Sequence, residues 1–431
     1  MLDNAKREKK WARAYIVGVQ RNRMERSVAD EHLTELVRLS DTMGVEVAGQ
    51  EMATMAKPNP KLFVGSGRAD TIKETALALE AEVIIFDDEL SPAQQRNWEE
   101  LSGIAVIDRR EVILTIFGQR ARTREARLQV QVARMEYSLP RLKRAWTHLE
   151  RQRGGGGFTG GAGEAQIEVD RRIVRDEIHA LRIELKNVRL QRANQRKTRR
   201  DKSVPSAALV GYTNSGKSSL LNALTGAGVL AEDQLFATLD PTTRKVKMRN
   251  NQPLLVTDTV GFIRKLPTML VEAFKATLEE AQLSDFLMHV VDASHPAALA
   301  QIEATNDVLR ELDAFDKPML YVLNKVDLVT DEIALAAVRA AAQPHVLTSV
   351  IRGDGLEELA AKMAEMAGQD LAHLRLVIPL SRHDVVSLIH REGKVVSTAY
   401  DEDGAHLEVE VPRRFESQLA PFLAPVAEAA P

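Results

Sequence analysis

Gly211-Tyr212-Thr213-Asn214-Ser215-Gly216-Lys217-Ser218 decides how this chain is read. It fits G-x-x-x-x-G-K-[ST], the phosphate-binding P-loop. Before it runs Ala207-Ala208-Leu209-Val210, an apolar stretch that predicts a short buried strand. After it runs Ser219-Leu220-Leu221-Asn222-Ala223-Leu224, which predicts the first turns of a helix. The motif needs that strand–loop–helix setting. Its glycines let the backbone curl round a triphosphate, and N–H groups at the helix start point at phosphate oxygens. Lys217 is expected to reach the β- and γ-phosphates as a point charge, and the Ser218 hydroxyl to ligate Mg²⁺.

Downstream, each further motif sits at the end of an apolar run. Leu254-Leu255-Val256-Thr257 leads into Asp258-Thr259-Val260-Gly261, a D-x-x-G. Asp258 is expected to hold Mg²⁺ through water, and the Gly261 N–H to sense the γ-phosphate. Met319–Leu323 leads into Asn324-Lys325-Val326-Asp327, an N-K-x-D. Asp327 can accept from guanine N1–H and N2–H₂. Adenine offers no such pair and would leave the carboxylate unpaired, so this residue selects GTP over ATP. Lys325 is expected along the ring face, and Asn324 as a tie to the P-loop. His345–Thr348 leads to Ser349-Val350, where a backbone N–H is expected at guanine O6. Between P-loop and D-x-x-G lies Phe236-Ala237-Thr238-Leu239-Asp240-Pro241-Thr242-Thr243-Arg244, the first switch segment. Thr238 is the expected Mg²⁺ ligand there, with Thr242 the runner-up. Lys217, Thr238 and Gly261 are the residues expected to carry catalysis. After Gly261 comes Phe262, where Ras-like enzymes place a water-orienting glutamine. Phe262 cannot hydrogen-bond a water, so slow hydrolysis by the free protein is expected. Asn214 is a candidate for holding a K⁺ ion near the phosphates.

Upstream, residues 14–119 alternate apolar runs with helical patterns. Strands are expected at Tyr15–Val19, Val45–Val47, Lys61–Val64, Val83–Phe86 and Ile104–Ile107. Helices are expected at Val28–Met43, Ala69–Ala81, Glu111–Gly118 and after Ser91-Pro92-Ala93-Gln94. The last is a serine N-cap, a proline in the first turn and a glutamine three residues after the cap. Strands alternating with helices predict a mostly parallel sheet covered by helices.

The character changes at Arg120. Leu128, Val132, Met135, Leu139, Leu142, Trp146 and Leu149 are spaced alternately by four and three, as are Val174, Ile178, Leu181, Leu185 and Val188. Both are seams of an antiparallel coiled-coil hairpin joined through Gly154–Gly163. The first arm, Leu128 to Leu149, would run about 33 Å, and Pro140 is expected to kink it. Residues 120–202 hold 22 Lys and Arg against 10 Asp and Glu, a net of +12. The rest of the chain holds 36 and 51, a net of −15. A basic hairpin on an acidic body is built to meet a polyanion, and phosphate contact releases counterions. Arg151 and Arg153 flank the glycine tip and are the expected RNA contacts. The fold class expected is α/β in four parts. Residues 1–119 form an N-terminal α/β domain and 120–202 the basic hairpin. Residues 203–368 form a Ras-like P-loop GTPase domain, and 369–431 a small α+β domain. In that last part strands are expected at Leu374–Leu380, Lys394–Tyr400 and His406–Val411, and helices at Arg382–His390 and Arg413–Leu419.

Composition limits the chemistry. With no cysteine there is no disulfide framework or thiol site. No signal peptide and no membrane span are visible, and a cytoplasmic monomer is expected.

The P-loop and Asp258-Thr259-Val260-Gly261-Phe262-Ile263 together resemble the HflX family of bacterial GTPases. The likeness extends through Ser91-Pro92-Ala93-Gln94-Gln95-Arg96-Asn97 and Ile116-Phe117-Gly118-Gln119-Arg120-Ala121-Arg122-Thr123. It continues through Tyr137-Ser138-Leu139-Pro140-Arg141-Leu142, Gly161-Ala162-Gly163-Glu164 and Phe236–Thr242. The resemblance implies a cytoplasmic GTPase that binds the large ribosomal subunit and its rRNA, splits stalled ribosomes under stress, and has no DNA partner. Two alternatives stand beside that reading: a large-subunit assembly GTPase, or a GTP-gated switch whose hairpin binds a protein helix.

Overall fold

The computed structural model describes residues 11–22, 24–142, 160–200, 204–226, 235–248, 253–265, 280–368, 371–401 and 404–424. The first sheet is built from β1 (Arg13–Arg21), β2 (Glu46–Met55), β3 (Val83–Phe86) and β4 (Ala105–Asp108), in the order β2-β1-β3-β4. Every pairing is parallel. All four residues of β3, Val-Ile-Ile-Phe, are buried, as a strand covered on both faces requires. The covers are α1 (Arg26–Met43), α2 (Ser66–Ala78), α3 (Pro92–Ser102) and α4 (Arg109–Arg120). Ser91 and Gln94 close the capping box expected at the start of α3.

One expected strand is absent. Lys61–Val64 is a tight loop in which Asn59 Oδ1 accepts from the N–H groups of Lys61 and Leu62 at 2.8 and 3.2 Å. A local asparagine turn outcompetes pairing for so short an apolar run. β2 is in turn much longer than Val45–Val47.

The hairpin pairs α5 (Arg124–Ser138) with α6 (Gly160–Arg200). Ile178 and Leu185 are buried, and Val174, Leu181 and Val188 are half-buried, so the expected seam faces inward. Arg124 meets Glu184 at 2.7 Å and Arg182 meets Glu136 at 2.6 Å across it. Pro140 does not kink a continuing helix. It lies in a 3-10 turn, Leu139–Arg141, that ends α5, because proline supplies no N–H to the ladder. Gly160-Gly161-Ala162-Gly163 form the first turn of α6 rather than a connector. Trp146, Leu149, Arg151, Arg153 and Gly154–Gly157 lie outside the described residues.

The second sheet has the order β10-β9-β8-β5-β7-β6. In chain order it is β5 (Ser206–Val210), α7 (Lys217–Thr225), β6 (Thr242–Lys247), β7 (Pro253–Asp258), β8 (Phe286–Asp292), α8 (Ala298–Glu311), β9 (Met319–Asn324), α9 (Glu332–Ala341), β10 (His345–Leu347) and α10 (Leu356–Gly368). Only β6 runs antiparallel. The sequence patterns did not point to β6, β8 or α8 to α10. The third sheet is antiparallel, ordered β11-β13-β12. It is formed by β11 (Leu371–Ile378), β12 (Lys394–Tyr400) and β13 (Ala405–Pro412), with α11 (His383–Glu392) and α12 (Glu416–Leu419).

A single buried cluster joins the first sheet to the nucleotide motifs. Leu36 and Phe117 share it with Tyr212, Phe236, Phe262 and Ile263.

Candidate nucleotide site

The P-loop links the end of β5 to the start of α7. Gly211 (φ 143°) and Gly216 (φ 95°) occupy the region that favours glycine. A Cβ on Gly211 would lie 2.2 Å from the Val290 carbonyl oxygen, and one on Gly216 would lie 2.3 Å from Asn324 Nδ2. Asn324 is that close because its amide donates to the Ser215 carbonyl at 3.0 Å. The tie expected between N-K-x-D and P-loop is therefore present. Lys217 is buried and donates to the carbonyls of Gly211 and Tyr212 at 3.0 and 2.7 Å. Burial lowers its ammonium pKa to about 8. Thr213 Oγ1 and Ser215 Oγ are buried with no hydrogen-bond partner, as suits hydroxyls aimed at an anion. Gly261 closes over the loop: a Cβ there would lie 3.0 Å from Lys217 Nζ and 2.8 Å from Thr213 Cα.

The two hydroxyls expected to ligate Mg²⁺ and the carboxylate expected to hold it through water converge. Ser218 Oγ lies 2.6 Å from Asp258 Oδ2, Thr238 Oγ1 lies 2.8 Å from the same oxygen, and the two hydroxyls are 2.9 Å apart. Ligands at 2.0–2.1 Å in an octahedron have oxygen–oxygen edges of about 2.9 Å, so the spacing of the two hydroxyls fits Mg²⁺. Asp258 Oδ1 is buried without a partner, and burial raises the carboxyl's pKa, so the site favours a cation. Thr242, the runner-up, is instead the first residue of β6, paired in register with Asp258.

On the base side, Lys325 sits at φ 62° and pairs with Asp292 at 2.7 Å. A hydrogen bond from the Ser349 side chain, above all, holds the Asp327 carboxyl below its usual range. Ser349 thus steadies the carboxylate expected to read the base. The backbone groups proposed for guanine O6 are engaged: Ser349 N–H with the Asp354 carbonyl at 3.1 Å, Val350 N–H with Asn324 Oδ1 at 3.3 Å.

Residues 30–118 match a family described as GTP-binding GTPase N-terminal, 120–199 the GTP-binding GTPase Middle Region, and 206–325 the 50S ribosome-binding GTPase family. The GTPase HflX of Akkermansia muciniphila is 49% identical over 424 residues, 96% of this chain and 97% of that protein. The GTPase HflX of Escherichia coli K12 is 42% identical over 89% of this chain and 90% of its own length. The crystal structure of a GTP-binding protein from Sulfolobus solfataricus, in complex with GDP, is 25% identical, with a TM-score of 0.45 over 83% of this chain and 99% of that one. The chain belongs to the HflX family of GTPases.

In this GTPase several motif residues turn away from the nucleotide and toward the first sheet. The Asp240 carboxylate accepts from the N–H groups of Arg122 and Thr123 and from Thr123 Oγ1, at 2.9, 3.0 and 2.5 Å. Leu239 and Val260 are buried. Leu239 and Asp240, expected beside GTP, therefore serve the junction with α5. Thr259 Oγ1 donates to the Leu209 carbonyl at 2.6 Å. Phe236, at φ 56°, packs edge-on against Phe117 with ring centres 4.6 Å apart. Ala237 lines the nucleotide side with Thr238. Tyr212 donates to Glu35 on α1 and accepts from the Arg264 N–H at 2.8 Å. Arg109 bridges Glu35 and Asp87, and Lys265 reaches Asp87 at 2.5 Å. Burial pushes the Asp87 pKa up, but the two cations outweigh it and hold the carboxyl low. Arg264 meets Glu31 at 3.2 Å. No local pattern in the sequence pointed to this junction. Its partners are distant along the chain.

Proposed function

We propose that this GTPase engages the large ribosomal subunit in its GTP-bound form and splits or rescues stalled ribosomes under stress. The match of residues 206–325 to a family described as 50S ribosome-binding GTPase supports the ribosome as partner. One observation carries the reading furthest. Phe236, Phe262 and Tyr212, which flank the γ-phosphate position, are packed into the same core as α1 and α4. A change at the phosphate would be felt by the N-terminal part and, through α5, by the basic hairpin. The four-part division at residues 119, 202 and 368 belongs to this proposal.

The chain's own residues account for binding and for slow turnover. Lys217 and the P-loop N–H groups would cradle the β- and γ-phosphates, Gly261 would report the γ-phosphate, and Asp327, steadied by Ser349, would select guanine. Ser218 and Thr238 would hold Mg²⁺ directly and Asp258 through water; the ion supplies charge neutralisation on the phosphates. Phe262, fully buried, shapes the second switch and positions no water. Hydrolysis is then slow alone and accelerated by the large subunit. Asn214, at φ 60° and lining the phosphate side, would be the residue to hold K⁺. GTPase rates equal in K⁺ and Na⁺ at matched ionic strength would remove that element.

The deciding experiment incubates purified 70S ribosomes with the protein and a non-hydrolysable GTP analogue, then sediments them. Separation into subunits is expected. Intact 70S particles, with binding to free large subunits retained, would overturn splitting in favour of an assembly role.

A further inference from the structure

Three stretches that carry the family resemblance lie outside the nucleotide motifs, at Ser91–Asn97, Ile116–Thr123 and Tyr137–Leu142. The fold brings them to one place. Between α4 and α5 runs a groove of about 770 Å³, lined by Leu114, Gly118, Arg127, Arg134, Tyr137 and Arg141 among others. That volume falls within the range of ligand sites.

Arg127 and Arg134 are seven apart on α5, two helical turns, and so share one face, and Arg141 follows in the 3-10 turn that ends the helix. Their settings are built. A Cβ at position 118 would lie 2.9 Å from Arg134 Cζ, so Gly118 is what lets that guanidinium lie flat on α4. Arg141 is locked at the closed end. It donates to Gln95 Oε1 at 2.8 Å and to the Leu90 carbonyl at 2.7 Å, and lies 3.9 Å over the Tyr137 ring. Gln95 in turn donates to the Val106 carbonyl at 2.6 Å. Arg127 is exposed at the open end, its Nε on the Ala121 carbonyl at 3.3 Å. Glu111 also lines the groove, within reach of the Tyr137 hydroxyl at 3.3 Å and Gln95 Nε2 at 3.5 Å.

We infer that this groove is a binding site for the phosphodiester backbone of single-stranded RNA, read without regard to base. Arg127 and Arg134 bring planar guanidiniums suited to paired phosphate contacts, while Arg141, also 3.7 Å from the Asp108 carboxylate, shapes the closed end. Among the described residues the one aromatic ring lining the groove, Tyr137, is buried and already covered by Arg141 and, at 5.4 Å, by Arg110. Among those residues no stacking platform is left for a base, and stacking is how single-stranded sites usually hold bases. The site deepens the ribosome reading by naming a surface for RNA, and it is tested without ribosomes.

Full-length protein with GDP is titrated against fluorescein-labelled poly(U) and poly(A) oligonucleotides, from roughly 50 to 200 mM salt, and binding is followed by anisotropy. Arg127→Gln with Arg134→Gln is expected to weaken RNA binding by about tenfold and to lower the salt slope by about 1.4, two phosphates at about 0.7 each. Gly118→Ala should weaken it without changing charge. Arg310→Gln with Lys362→Gln, which removes two cations from other faces, should leave it unchanged, and GDP affinity should stay the same throughout. The groove is refuted if its double variant binds RNA like the control double variant. A strong preference between poly(U) and poly(A) would overturn backbone-only reading. Displacement of RNA by millimolar ATP would reassign the groove to a mononucleotide. RNA binding lost in the variant while 70S particles stay intact with wild-type protein would uphold the groove and sink the splitting reading.

Discussion

Lys217 sits in a dry cradle of carbonyls, where burial lowers its pKa to about 8. Nucleotide phosphates favour the charged ammonium, so binding takes up a proton wherever the free protein has lost it. GDP should therefore bind about tenfold more weakly at pH 9 than at pH 7. Titration calorimetry in buffers of different ionisation enthalpy checks this; no proton uptake near pH 8.5 would count against it. Asp327 gives the complementary test at the base. Asp327→Asn should lose GTP affinity and gain xanthosine triphosphate, because the amide donates to the oxygen that replaces the guanine amino group. Buried His289 on β8 supplies a stability test. Burial lowers its pKa to about 3, so the folded state keeps it neutral while the unfolded chain protonates below about 6.5. Its stabilising effect is complete above that value and is lost as pH falls, by about 1.4 kcal/mol per unit. Urea midpoints of His289→Gln between pH 7 and 5 should fall less steeply than those of the wild type.

Asp240 ties the first switch to α5. Its carboxylate accepts three hydrogen bonds at the helix start, where the Thr123 side chain also caps by accepting from the Ala126 N–H. An anion at a helix N-terminus is stabilising both as acceptor and through the dipole. Asp240→Ala should cost about 1–2 kcal/mol, concentrated in α5. Amide exchange should accelerate in the first turn of α5 and leave α1 unaffected. Uniform protection would show that Thr123 caps the helix unaided.

Arg109 is a buried cation at the centre of the junction between the first two sheets. It faces Glu35 and Asp87, and both carboxylates also serve the nucleotide side, through Tyr212 and Lys265. Removing one member of a buried ionic set leaves the others uncompensated. Arg109→Met should destabilise by about 3–5 kcal/mol. Chemical denaturation measures the loss, and a change below about 1 kcal/mol would mean that water reaches the carboxylates.

The nucleotide site was legible in the sequence because its parts are local. A P-loop, D-x-x-G or N-K-x-D is a few consecutive residues expected to make the phosphate or base contact through their own backbone or side chains, and each follows an apolar run that had to be a strand. The seam of α6 was legible for the same reason: periodicity is a local property. What Leu239, Asp240 and Tyr212 do was not legible. The same letters sit in the motif whether they face GTP or, as Asp240 and Tyr212 do, turn to Thr123 and Glu35, and the nearer of those partners lies 117 positions away. The loop at Lys61–Val64 and the helical start at Gly160 show the other limit, since short apolar or glycine-rich runs are decided by the turns and packing around them. Sequence settled which chemistry the chain performs, through contacts between neighbours. Packing alone decided which motif residues line the P-loop side and which turn to the first sheet, because burial and ion pairing across the two sheets exist only once both are folded.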